Sequence, residues 1–424
     1  MMRKKSIYLA LSPAVFLLFS TAQAGVVCPP DPSTAFVNEP NTVYAISYPD
    51  GGTNTLSSYC SNLTNETTIA TLNSCGAFQH PMDGIGYNPQ DNFMYGVMPT
   101  DSMGIGAHLD LSELPFGGSG NGDIMVADPV AVFRIGNDGG YGQIGVIDPA
   151  PETVPFPGEN QVTPIMYNVS TFDSSGNMYV LGYRTDYTSQ AFPPEVNYIN
   201  AEMLIGTVTN ADIQAASGGT IPASWSGIDV TGDAVCEAVV DAFRAHTNTF
   251  SACVVNEYLT NGNDGDAAVD SCLNLIEDKG INDFAVSPTN GFFYAYDTAT
   301  YPDRDVLIEV NPGTMVASCT EVADAGNQTT LLNSLMFTAQ NNLVGILANR
   351  GTGLQINPAT GVSTSLTPNQ ILPAGFGDGA SQPFALVPFL RGVVTNFIFD
   401  NGFESDLIFA NSFEGAVPPV CPDF

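Results

Sequence analysis

Hydrophobic and polar positions along the chain repeat a short phrase: an apolar stretch, a turn of Asn, Asp, Pro or Gly, and then a short aromatic strand. Phe36–Ile46, Ile85–Gly96, Ser170–Val180, Phe284–Tyr296 and Leu335–Gly345 all carry it. A second half, strand, turn and strand again, follows in Leu307–Thr314 and in Leu354–Leu366, where Asn357-Pro358-Ala359-Thr360-Gly361 makes the turn. Asn-Pro sets the first turn positions, Gly tolerates the positive φ that follows, and the flanking alternation puts one face of each strand inward. Each unit therefore predicts a four-stranded antiparallel sheet. Such a sheet cannot bury its apolar face alone, so consecutive units must stack, and closing them in a ring leaves only short, protected edges. The pattern predicts an all-β fold, a β-propeller of about five to seven four-stranded blades, with visible units at 33–75, 83–150, 164–230, 281–322 and 332–367. A linear stack or a sandwich of the same units is the alternative. Gly377–Ala380, followed by Pro383–Phe389, reads as a closing strand or a partial blade.

Two stretches break the period. Residues 98–129, with Gly117-Gly118-Ser119-Gly120-Asn121-Gly122-Asp123, read as a long loop within the second unit. Residues 231–280 carry apolar positions at helical spacing in Ala234–Arg244 and again in Asp266–Ile276, which predicts a small helical insertion pinned by disulfides. Long insertions on a rigid scaffold are where function often sits.

At the N-terminus, Arg3, Lys4 and Lys5 precede an apolar run from Ile7 to Phe19, and Ala22-Gln23-Ala24 supplies the small residues of a cleavage site. This is the layout of a signal peptide, and the run is too short, and broken by Pro13, to span a bilayer. The chain divides into a signal peptide (1–24), a propeller-like repeat domain (25–390, helical insertion at about 231–280) and a C-terminal tail (391–424). The expected location is secreted, periplasmic or cell-surface.

Only 12% of the 424 residues are charged, with 43 acidic against 10 basic side chains, a formal net charge of −33. Removing the leader takes three basic residues and no acidic ones, so the mature chain is more acidic still. Phosphate binding needs clustered Lys and Arg, so nucleic acid and bare anionic membrane are excluded as partners. The hydrophobic fraction of 44% excludes a disordered acidic chain.

Eight cysteines remain after export, Cys28, Cys60, Cys75, Cys236, Cys253, Cys272, Cys319 and Cys421, and an even count in an oxidising compartment reads as up to four disulfides. Cys60 with Cys75 is the most local pair, and the four from Cys236 to Cys319 form a second, self-contained group.

The Asn-Pro-Ala-Thr-Gly turn at 357–361, the phrase Tyr87–Gly96 and Gly377-Asp378-Gly379-Ala380 give the chain a resemblance to a bacterial family of secreted, propeller-like repeat domains of unknown function. The resemblance covers most of residues 33–390, and lactonase-like and NHL-like propellers share the phrase. It implies a surface or extracellular setting and supplies no catalytic motif. The cysteine-bearing insertion departs from the pattern, which puts any shared ligand in doubt. In the tail, Ile398-Phe399-Asp400-Asn401-Gly402-Phe403-Glu404 is repeated ten residues later as Ile408-Phe409-Ala410-Asn411-Ser412-Phe413-Glu414. Similar endings resemble those of exported proteins of Gram-negative gammaproteobacteria. A sorting or docking peptide is one reading, and a pair of short surface strands the other.

Candidate chemistry is sparse. His80, His108 and His246 are the only histidines, and none accompanies a nucleophile elbow or a zinc-binding helix. Calcium is the cofactor the sequence best accommodates: Asn261, Asn263, Asp264 and Asp266 put hard oxygen ligands on one turn, without the bidentate Glu of the full loop motif. A calcium ion on the ring axis, as the lactonase-like resemblance implies, would draw on Asn88, Asp173 and Asp283. Two functions remain. One is an exported, non-enzymatic binding propeller gripping a glycan, peptide or cell-envelope component. The other is a calcium-dependent, lactonase-like hydrolase. The scarcity of His and basic residues favours the first.

Overall fold

Each apolar phrase and its turn folds into an antiparallel hairpin, and two hairpins make a blade. The computed structural model describes residues 27–28, 34–37, 42–48, 54–60, 67–72, 83–99, 107–109, 125–127, 130–148, 165–191, 194–260, 280–301, 304–323, 332–347, 353–366 and 376–382, with isolated positions between 268 and 275. Blade two runs, from the inside outward, through Asp83–Asn88, Phe93–Pro99, Val130–Ile135 and Tyr141–Ile147. Blade three uses Ile165–Phe172, Met178–Ala191, Pro194–Val208 and Ser224–Gly227, and blade four Gly280–Val286, Phe293–Tyr301, Arg304–Asn311 and Val316–Glu321. Blade five is built of Leu332–Phe337, Leu343–Leu347, Gly353–Ile356 and Ser363–Ser365.

Blade one joins the two ends of the domain. Its outer strands Thr42–Tyr48, Asn54–Cys60 and Thr67–Leu72 receive Phe376–Ser381 as the innermost strand, in register from Val43 opposite Ser381 to Tyr48 opposite Phe376. The five inner strands neighbour one another in a closed cycle, so the fold is a five-bladed β-propeller and 377–380 belong to its closing strand.

The core is divided in the same way, one apolar cluster to each seam between blades. Tyr44, Ile46 and Leu56 meet Ile85, Met94 and Phe133 between blades one and two, and Tyr95, Val97 and Val132 meet Phe172 and Val180 between two and three. Leu181 and Met203 pack with Phe284 and Phe293, Tyr294 and Leu307 with Leu335 and Phe337, and Met336, Val344 and Ile346 close the ring on Val43. Alternation along each strand therefore serves both faces of a blade, because each blade is sandwiched by two others.

One face of the ring carries tight turns whose first side chain caps the bend, with the 209–223 connection of blade three beside them. The Asn88 Oδ1 accepts from Gln90 N–H at 2.9 Å, Asp173 Oδ1 from Ser175 N–H at 2.8 Å, Ser287 Oγ from Thr289 N–H at 3.3 Å, and Thr338 Oγ1 from Asn342 N–H at 3.2 Å. Asn311 and Asn357 do the same in the outer hairpins, accepting from Gly313 and Ala359 N–H at 2.9 and 3.0 Å. These short polar side chains replace a backbone acceptor and so fix the turn. The chain leaving an outer strand also pairs in parallel with a neighbouring blade, Gly219–Ile221 with Gly145–Ile147, Asp229 with Val316, and Ala323 with Val362.

Helical spacing in 234–244 is realised in a longer element. A single-turn α1 (Asn210–Ala215) follows blade three's third strand, and α2 (Ala234–Thr260, 27 residues) forms the insertion. Ala268, Ser271 and Cys272 are helical within the second predicted stretch. Residues 98–129 are not wholly loop: Ala107–Leu109 pairs with Met125–Ala127, while 117–123 lie outside the described residues. The leader and tail also lie outside them.

Candidate functional site

Strand direction places the links between second and third strands, and those from one blade to the next, on the face opposite the tight turns, and the ribbon of blade three and α2 belong to that face. In blade three, Met178–Ala191 and Pro194–Val208 pair along their whole length, from Met178 opposite Val208 to Ala191 opposite Pro194. Their inner neighbour stops at Arg184 and their outer neighbour covers only Leu204–Thr207. Residues 185–191 and 194–201 therefore project beyond the blade as a two-stranded ribbon, about 20 Å long at the usual rise. Tyr187 and Tyr198 face each other in its register.

Helix α2 lies across blades three and four beside the ribbon's base. Its buried residues, Cys236, Val239, Val240, Phe243, Thr247, Phe250 and Val254, follow helical spacing and form one stripe. The Phe243 ring stacks on Tyr183 at 4.0 Å between centroids. Asp233 caps the helix through Oδ1, which accepts from Val235 and Cys236 N–H at 3.0 and 3.1 Å, while its Oδ2 accepts from Cys319 N–H of blade four at 3.1 Å. The Cys236–Cys319 disulfide ties the same two segments covalently, and Cys253–Cys272 closes the insertion on itself. The group of four cysteines is thus self-contained, as its spacing predicts. Cys28, Cys60, Cys75 and Cys421 lie outside the residues whose side chains are described.

Beneath the insertion, three successive strands of blade four each bury an aspartate. Asp283 Oδ1 accepts from Phe284 N–H at 2.7 Å and its Oδ2 from Leu335 N–H of blade five at 2.5 Å. Asp297 Oδ2 accepts the Tyr183 hydroxyl at 2.7 Å, and Asp305 Oδ2 the Tyr296 hydroxyl at 2.8 Å. Burial pushes the Tyr183 hydroxyl well above its ordinary range, and the Asp297 charge adds to the shift. Each aspartate is held by donors of the fold itself, so these carboxylates join strands and blades. Sequence reading misses Asp297 and Asp305: their one signal is a carboxylate inside an apolar aromatic strand or at its edge.

The inner strands share a further irregularity near this face. Register slips occur between Asp83 and Gly86, Met166 and Val169, Ile281 and Asp283, and Leu332 and Ser334. Asp83, Asn168, Asn282 and Asn333 therefore sit at or beside a bulge in four inner strands, each five positions before the capping Asn88, Asp173, Ser287 or Thr338. Bulges recur where a strand re-aims its residues next to a site.

The axial calcium set expected from Asn88, Asp173 and Asp283 is not assembled. Asn88 and Asp173 cap turns on the tight-turn face, whereas Asp283 lies four residues before the equivalent Ser287, bonded to blade five. Asn261, Asn263, Asp264 and Asp266 lie outside the described residues. Among the described residues no group of three or more His, Cys, Asp or Glu could hold a metal ion, and no helix is long and apolar enough to cross a membrane. His246 is half-buried on α2, and the side chains of His80 and His108 are not described.

No family profile matches the chain, and no curated protein matches it. Solved structures that resemble it include two 6-phosphogluconolactonase candidates, one of Bacteroides uniformis (10% identity, 80% of this chain and 100% of that one, TM-score 0.33) and one of Bacteroides fragilis (11%, 85% and 98%, 0.34). YCF48 bound to a D1 peptide is a third (10%, 81% and 70%, 0.26). Likenesses of that size say nothing about the chemistry of this chain, whose fold rests on its own blade connectivity.

Proposed function

We propose that this is an exported binding propeller whose long-connection face holds a glycan, a peptide or a cell-envelope component. The observation that carries the reading is the inequality of the two faces. One carries capped turns and the short 209–223 connection with its single-turn α1, while the other bears the blade three ribbon and a 27-residue helix locked to blade four by a disulfide and a shared cap. A rigid ring carrying braced insertions on one side loses little conformational freedom when a partner settles there, which favours binding. The test is capture of the mature chain by glycan arrays and by isolated cell envelopes. Shortening the ribbon by residues 187–198 should abolish capture, and Ala359→Lys on the opposite face should leave it intact. Loss with the second variant and retention with the first would overturn the assignment.

Calcium-dependent hydrolysis is the second reading, favoured by the recurrence of Asp83, Asn168, Asn282 and Asn333 at inner-strand bulges, since calcium prefers hard oxygen donors from several strands. One stoichiometric calcium ion in elemental mass spectrometry of the purified protein, with a melting temperature that drops on chelation, would support it. Absence of both would remove it.

A further inference from the structure

In four of the five blades a tight turn joins the innermost strand to its neighbour, from Asn88 to Phe93, Phe172 to Met178, Val286 to Phe293 and Phe337 to Leu343. In blade one that turn is impossible, because the innermost strand Phe376–Ser381 and the second strand Thr42–Tyr48 come from opposite ends of the domain. The repeat phrase predicts Phe36 in the innermost position, and the closing strand occupies it instead. Residues 34–37 lie on the tight-turn face of blade two.

There the chain steps from the rim toward the axis. Val27–Cys28 adds to the outer edge of blade two, opposite Gly142 and Tyr141. The Thr34 carbonyl accepts from Asn137 N–H, in the outer hairpin, at 2.8 Å, and Phe36 N–H donates to the Asn92 carbonyl, in the inner hairpin, at 2.7 Å. Asn92 is itself fixed, with φ of +61° and its Oδ1 accepting the Tyr87 hydroxyl at 2.5 Å. The Val37 carbonyl then accepts from Gln382 Nε2 at 2.8 Å, one residue past the closing strand. Phe36 is buried between blades one and two, its ring edge-on to Tyr44 at 4.8 Å between centroids, and Tyr44 stands opposite Ala380 of the closing strand.

These contacts stand in for the missing turn. Lifting residues 34–37 would open a cavity against Tyr44 and take an acceptor from Gln382 in a buried place. Loss of the closing strand would in turn remove Gln382 from Val37 and strip the ladder partner of Tyr44. We propose that residues 34–37 are a latch, which seats and leaves together with Phe376–Ser381, so that closure of the ring is governed from the N-terminal end of the domain. A chain held by that end cannot lay residues 34–37 across blade two, and its blade one stays unlatched.

The test is hydrogen exchange of the full mature chain, first unaltered and at rising denaturant. The amides of Phe36, Thr42–Tyr48 and Phe376–Ser381 should share one opening, at lower denaturant than the strands of blades three and four. A closing strand that opens separately from Phe36 would overturn the latch. Phe36→Ala should then raise exchange about tenfold or more in Thr42–Tyr48 and Phe376–Ser381, with less than about a twofold change in Phe293–Tyr301. Phe36→Leu, which refills most of the seam, should restore protection. Gln382→Ala leaves the Phe36 ring in place and should move the same two strands in the same direction, a readout that stands even where Phe36→Ala does not fold. An unchanged closing strand in Gln382→Ala, or an equal rise in all five blades, would show that residues 34–37 pack without latching the ring.

Discussion

The Tyr183 hydroxyl donates to the Asp297 carboxylate at 2.7 Å, joining the second strand of blade three to the second strand of blade four inside the core. Tyr183 also carries the Phe243 ring of α2 on its own ring, so one side chain links two blades and the insertion. Tyr183→Phe keeps the stack and removes the donor, leaving a buried carboxylate less satisfied. The expected loss is about 1 to 3 kcal/mol, read from denaturant melts. A loss below about 0.5 kcal/mol would mean that Asp297 is satisfied without it.

Several other tyrosine hydroxyls hold their protons tightly. Burial, helped by Asp91, raises Tyr87 to about 12, and burial with Asp173 raises Tyr179 to about 12. Tyr294 also rises to about 12, through burial and a hydrogen bond with Glu309. The protonated form is the one favoured in the folded state, so the contribution is complete below the ordinary tyrosine value of about 10 and is lost as pH climbs toward about 12. Followed against pH, a part of the tyrosinate absorbance should appear only toward pH 12 and together with loss of β-sheet circular dichroism. A tyrosinate signal that is complete near pH 10, with the sheet signal unchanged, would contradict the shifts of Tyr87, Tyr179 and Tyr294.

The Cys236–Cys319 bond closes an 83-residue separation, and Asp233 reinforces the same join by hydrogen bonds. Replacing both cysteines by serine should cost about 2 to 4 kcal/mol. Hydrogen exchange should rise in α2 and in Val316–Glu321 well before it rises in blades one and five. Asp233→Ala should cost about 1 to 2 kcal/mol through the lost cap.

Two glycines of similar backbone conformation should respond differently to alanine. Gly361 has φ of +66°, and a Cβ there would lie 2.5 Å from the Glu321 carbonyl oxygen, at the join between blades four and five. Gly291 has φ of +73° in open space. Gly291→Ala should cost about 1 kcal/mol from backbone strain alone, and Gly361→Ala clearly more. Equal melting temperatures for the two variants would show that the blade junction yields.

The turn phrases made the blades legible in the sequence, because Asn-Pro and Asp-Ser-Ser-Gly bends are local: Asn357 and Asp173 cap their turns using residues two to four positions ahead. The spacing of Cys236, Val239, Val240 and Phe243 likewise announced a helix, and Asn261-Gly262 directly after Thr260 marks its end. What stayed hidden depends on partners distant in sequence. Asp283 finds Leu335 across 52 positions and Tyr183 finds Asp297 across 114, and no local pattern encodes either. The placement of Asn88 and Asp173 at turns, and of Asp283 far from them, followed from counting positions back from each bend, which the phrase alone does not give.

The innermost strand of blade one is among the last parts of the domain to be synthesised. Until Phe376–Ser381 arrives, Thr42–Tyr48 presents an unpaired edge, and Val43 and Tyr44 lack their completed surroundings. An unfinished or truncated chain therefore carries an open sheet edge that can pair with another copy. Translocation of the chain before it folds would keep such edges apart until the whole ring can assemble, whereas a stop codon ahead of residue 376 would yield a product prone to aggregate rather than a smaller propeller.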